Sequence, residues 1–145
     1  MKIKTMLIIP ALLLVVIICI NAAFPRSAQP TTLLVTRSSA SPANNFPPLN
    51  REVKDAKAVQ KLYNAINALP KTTIGIRYCP IDAGLIYHIH FSSGTTLIEQ
   101  VDMDTGGCQW IRLSKQNVRQ PTQAFLLLFA STIGIPRSTL DPIPY

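Results

Sequence analysis

Hydrophobic positions follow three different spacings along the chain. The first is unbroken: Met6 to Ile20 is an apolar run behind the basic start Met1-Lys2-Ile3-Lys4. The second is helical. Val53, Ala56, Val59, Leu62, Tyr63, Ile66 and Leu69 recur at intervals of three and four, which predicts one amphipathic helix. Asn50 is placed to cap it, it runs to about Ala68, and Pro70 stops it. After Pro70 the period becomes alternating and predicts four short strands, Thr72–Cys79, Leu85–Ser92, Thr95–Asp102 and Cys108–Leu113. Ser93-Gly94 makes a tight hairpin between the second and third.

Alternation also assigns faces. In the second strand Leu85, Tyr87, Ile89 and Phe91 share one side and Ile86, His88, His90 and Ser92 the other. The first set is expected against the helix, with Ile74, Ile76 and Tyr78 as its counterpart in the first strand. Pro121 suits the opening turn of a second helix, about 121–132, which Gly134 and Pro136 end. Its apolar run Ala124–Ala130 is too short to span a membrane and reads as a buried element. The fold expected is α+β: an N-terminal amphipathic helix packed on a four-stranded, mainly antiparallel sheet, a short C-terminal helix and one disulfide.

Between the apolar run and the helix, residues 25–50 have no period. They are rich in Pro, Ser, Thr, Asn and Ala, with Pro47-Pro48 and Ser39-Ala40-Ser41-Pro42 as breakers. Such a segment buries too little to offset its ordering entropy, so a disordered tether is expected, with Leu33-Leu34-Val35 as a possible stray strand. The chain therefore divides into residues 1–24 as a signal peptide or membrane anchor, 25–50 as tether, and 51–145 as a small extracytoplasmic domain. Asn21-Ala22-Ala23 offers small residues for cleavage, although Ile20 or Asn21 falls at the outer key position. Uncleaved, Met6 to Phe24 is just long enough to span a bilayer and would keep the basic terminus in the cytoplasm. Either way the domain is exported, and is secreted or held at the membrane. Ile18 before Cys19 does not fit a lipoprotein site.

Composition alters this picture little. The net charge of +7 counts Lys2, Lys4, Arg26 and Arg37, all of which precede the domain. From Arg51 onward ten basic residues face seven acidic ones, too even a balance for a nucleic-acid face. Cys79 and Cys108 are the only cysteines beyond the leader, and export to an oxidising compartment predicts a bridge between them. In a simple four-strand meander those positions lie on opposite edge strands, about 14 Å apart. A bridge then requires strand four beside strand one, or loops around Pro80 and Gly106-Gly107 that fold over to meet.

Candidate chemistry is sparse. His88 and His90, two apart on one strand, point to the same side as a metal site requires, with Glu99 or Asp102 as possible further ligands. The plainer explanation is a polar outer sheet face. Asp102-Met103-Asp104-Thr105-Gly106 opens like a calcium loop, but Gly106 and Leu113 occupy positions where that loop needs oxygen ligands. No serine or cysteine stands near a plausible base in the sequence, and no phosphate-binding glycine loop or other cofactor motif is present. Arg77, His88, His90, Trp110 and Arg112 all fall on the side away from the first helix, an aromatic among cations that suits a binding face. The alternative is that the second helix covers that side and Trp110 is core.

The stretch from about Asp55 to Cys108 resembles a group of small exported bacterial proteins of unknown function. Leu62-Tyr63, Leu69-Pro70, Cys79-Pro80-x-Asp82-x-Gly84-x-x-Tyr87 and Gly107-Cys108 carry the likeness. The resemblance implies the disulfide and the α+β fold, and no activity. The function expected is a non-enzymatic binding or structural module of the cell envelope, with a protein or envelope component as partner and the membrane reached through residues 6–24 if these are retained. One alternative is a metal-binding protein or enzyme using His88 and His90. Another is a protease inhibitor presenting loop 102–107, a reading that fails if the loop is ordered and packed inward.

Overall fold

The computed structural model describes residues 28–39, 46–72 and 85–140. In chain order their elements are β1 (Thr32–Ser39), β2 (Leu49–Val53), α1 (Ala56–Ala68), β3 (Lys71–Thr72), β4 (Leu85–Ser93), β5 (Thr96–Asp104), β6 (Trp110–Arg112), β7 (Val118–Arg119), α2 (Gln123–Ile133) and a 3₁₀ turn at Arg137–Thr139. The strands form one seven-stranded sheet in the order β2-β1-β4-β5-β6-β7-β3. Every neighbouring pair is antiparallel.

The sheet is organised around β4. Its alternation translates directly into burial: Leu85, Tyr87, Ile89 and Phe91 are buried, while Ile86, His88, His90 and Ser92 are only partly so. Gly94, with φ +57°, takes the first position of the two-residue turn into β5, where a hairpin matched to strand twist requires a left-handed residue. Both helices pack on the buried side. Val59, Leu62 and Ile66 of α1 and Phe125, Leu126, Phe129, Ala130 and Ile133 of α2 join one core with Leu33, Val35, Tyr87, Ile89, Phe91, Val101, Met103 and Ile111 of the strands. Edge-to-face pairs tie each helix to β4, Tyr63 on Phe91 at 5.2 Å and Phe129 on Tyr87 at 5.6 Å. The architecture is two-layered, helices on one face of a sheet.

Several expectations are corrected. The sheet has seven strands rather than four, and the first helix is preceded by two of them. β1 and the first two residues of β2 come from the segment expected to be a disordered tether, where only Leu33-Leu34-Val35 was read as a stray strand, and Arg51–Val53 of β2 come from the expected domain; Leu33 and Val35 alternate into the core and are fully buried. Two inward-pointing aliphatics, with the whole of β1 paired to β4, supply the burial that composition alone did not suggest. Asn50 does not cap α1, because it lies in β2 opposite Thr36. The cap is Asp55, whose Oδ1 accepts from the backbone N–H groups of Lys57 (2.9 Å) and Ala58 (3.3 Å). The fourth strand is shortened to β6, and an unanticipated strand, β7, stands between it and β3. Of the first expected strand, Thr72–Cys79, only Thr72 is among the described residues, in β3.

The expected Cys79–Cys108 disulfide and the membrane helix both involve residues outside those described. No two cysteines stand at bridging distance among the described residues, since Cys79 lies outside them. Cys108, in the turn before β6, is disulfide-bonded to a cysteine outside the described residues. No helix among the described residues is long and apolar enough to cross a membrane, and residues 1–24 lie outside them.

Candidate functional site on the outer sheet face

The strand register that buries one side of the sheet arranges the other as a lattice. Leu34, His90 and Gln100 form one row across β1, β4 and β5. Thr36, His88, Asp102 and Arg112 form the next, extending onto β6. Ser38, Ile86, Asp104 and Trp110 form the third. Antiparallel partners directly opposite one another project to the same side, so these side chains share a surface. Neither helix covers it; α2 packs on the opposite side, which corrects the reading of Trp110 as core beneath that helix. Toward β7 the surface closes, because Val118, next to Arg112, is buried.

His88 is at the centre and uses both ring nitrogens. Nδ1 lies 2.8 Å from Asp102 Oδ1, and Nε2 lies 2.9 Å from Ser38 Oγ. The ionised carboxylate only accepts, so Nδ1 carries the proton in this contact. In the neutral ring Nε2 is then the acceptor, and the Ser38 hydroxyl donates to it. The side chains of His88 and Asp102 are about one-third exposed, at 34% and 39%, and Ser38 is exposed. The β1–β2 ladder ends at Arg37 and Leu49, so Ser38 lies beyond the reach of β2.

Of the five residues assigned to a binding face from the sequence, His88, His90, Trp110 and Arg112 lie together on this surface. Arg77 is outside the described residues. No group of three His, Cys, Asp or Glu side chains suited to a metal ion occurs among the described residues. Each His88 nitrogen already has a partner, which weakens the pairing of His88 with His90 as ligands. Asp104 is not a calcium ligand in waiting: Oδ1 accepts from Gly106 N–H at 2.9 Å and Oδ2 from Trp110 Nε1 at 3.3 Å. The same contacts fold the 102–107 segment onto the protein. Asp102 to Asp104 belong to β5, and Thr105 and Gly106 are buried.

Sequence reasoning missed Ser38, because it was placed in a tether. The signal was available in Thr32 to Ser39, where Leu33 and Val35 alternate with Leu34, Thr36 and Ser38. Asp102 was considered, but as a metal ligand rather than as the partner of His88. Neither family models, curated proteins nor solved structures give a match to this chain. They lend no family to the resemblance drawn from its motifs, and the functional reading rests on the chain's own residues.

Proposed function

We propose that this chain is an exported or membrane-tethered binding module of the cell envelope, which engages a protein partner through the helix-free sheet face. One observation carries the reading. The inner side of the sheet is buried by two helices, while the outer side leaves Leu34, Ile86 and Trp110 accessible among His88, His90 and Arg112. Accessible aromatic and aliphatic side chains beside an arginine are the composition of a protein-binding hot spot. Export is supported by the basic start and apolar run of residues 1–20.

The test is site-specific photo-crosslinking of the full chain in producing cells, with the reactive side chain at position 90 and, for comparison, at the exposed helical position 57. A discrete protein adduct at 90, absent at 57 and lost in Leu34→Glu, is the expected result. Equal adducts at both positions, or none at 90, would overturn the reading. Adducts to glycan or lipid rather than protein would reassign the partner and refute the protein-binding form.

A further inference from the structure

We propose that Ser38, His88 and Asp102 form a nucleophilic site for acyl transfer from activated esters, an activity beyond binding. A serine hydroxyl is a weak nucleophile until a base within hydrogen-bond reach takes its proton, and that base must be held in the right tautomer by a third group. The three contacts are here in sequence: Ser38 Oγ to His88 Nε2 at 2.9 Å, and His88 Nδ1 to Asp102 Oδ1 at 2.8 Å. They come from three adjacent strands, β1, β4 and β5, whose ladders keep regular register from Ile86 to Phe91 of β4. Ser38 is exposed at a stretch of β1 that β2 no longer covers, so an electrophile can approach Oγ from solvent.

The setting also selects the substrate class. Serine hydrolases of broad scope add backbone N–H groups that receive the developing oxyanion. In a β-strand most N–H groups are committed to the ladder. A site of this kind therefore suits substrates that need least oxyanion stabilisation, esters with a weakly basic leaving group such as aryl esters, rather than amides.

The steps balance. Ser38 Oγ bonds to the ester carbonyl carbon as its proton passes to His88 Nε2. The carbon–oxygen bond to the leaving group then breaks, and His88 Nε2–H protonates the departing aryloxide. Water attacks the acyl-serine, its proton going to Nε2. Ser38 Oγ leaves, recovers that proton, and a carboxylic acid is released. Asp102 touches no substrate; it is a positioning residue that holds the ring with Nε2 toward Ser38.

The experiment exposes the full-length chain to an alkyl fluorophosphonate and, separately, to p-nitrophenyl acetate. Intact mass and peptide mapping follow the phosphonate, and release of p-nitrophenol follows the ester. One phosphonyl group on Ser38 is expected for the folded chain, none after heat denaturation, and none in Ser38→Ala. Because Ser38 is exposed, that variant should melt as the wild type does. Asp102→Asn should label about 100-fold more slowly at an unchanged melting temperature. A folded wild-type chain that takes no label, or a label that persists in S38A, overturns the site. Labelling of D102N at the wild-type rate overturns the role given to Asp102. Crosslinking at position 90 reads partner contact and labelling reads nucleophilicity, so either proposal can fail alone.

Discussion

Across the β4–β5 ladder Phe91 faces Glu99, and this register puts a carboxylate on the helix side of the sheet. Burial raises its pKa above the ordinary 4.5, against hydrogen bonds from Asn67 and Tyr63 and the charge of Arg119, which all act to lower it. Among the described residues Glu99 Oε2 is buried with no hydrogen-bond partner, and so is Arg119 Nε, although Arg119 Nη1 donates to the carbonyl of Leu69 at 2.8 Å. The two charges attract without closing a bonded pair. Since the folded pKa exceeds the unfolded one, the folded chain holds more protons between those two values, and stability must fall as pH rises through that window. The contribution is fullest below the ordinary glutamate range and is lost above the raised value. Glu99→Gln removes the titrating group, so its melting temperature should vary less than the wild type's from acid to neutral pH. Parallel curves for the two proteins would show that Glu99 is solvated well enough to titrate normally.

At the scale of elements, α1 carries the clearest consequence of local chemistry. Asp55 satisfies two N–H groups that the first turn would otherwise leave open. Asp55→Ala should cost about 1 kcal/mol in chemical denaturation. Asn50→Ala, in an exposed position of β2, should stay within about 0.5 kcal/mol. A reversal would restore Asn50 as the cap. The comparison also marks what was legible in the sequence. The stripe Val59, Leu62, Ile66 placed α1, and the alternation Leu85 to Phe91 placed β4, because each pattern is long enough to define its own face. The start of α1 was misplaced because Val53 continues the apolar stripe, although it lies in β2 and pairs with Leu33. β1 was harder: its inward set is only Leu33 and Val35, since Arg37 follows at the third inward position. That arginine stays because Nη1 donates to the Tyr87 hydroxyl at 3.4 Å and the guanidinium lies 5.8 Å from the Tyr87 and Phe46 rings, partners far away in sequence. The site failed to appear for the same reason. Ser38, His88 and Asp102 are scattered along the chain, and only strand order makes them neighbours.

For the molecule as a whole, a sheet covered on one side has a second problem at its edges. Among the described residues β2 is a terminal strand, paired to β1 on one side only. An open strand edge is a template for another chain unless charge, proline or shortness blunts it. β2 has all three: five residues, Pro47-Pro48 immediately before it, and Arg51 and Glu52 at its middle. Arg51 sits opposite Val35 and Glu52 opposite Leu34, so the pleat carries one charge toward each face of the sheet. Glu52 also lies 3.3 Å from Lys54, but both side chains are mostly exposed, and such a pair adds little stability. The charges are better explained as a barrier to edge pairing than as a source of folding energy. Replacing both, Arg51→Val with Glu52→Val, should leave the melting temperature within a few degrees of wild type at low concentration. The same variant should self-associate as concentration rises, seen as a growing weight-average mass in sedimentation equilibrium. Mass that stays monomeric would mean that the prolines and the short length protect the edge by themselves. A large loss of stability would mean instead that Arg51 and Glu52 hold β2 onto β1.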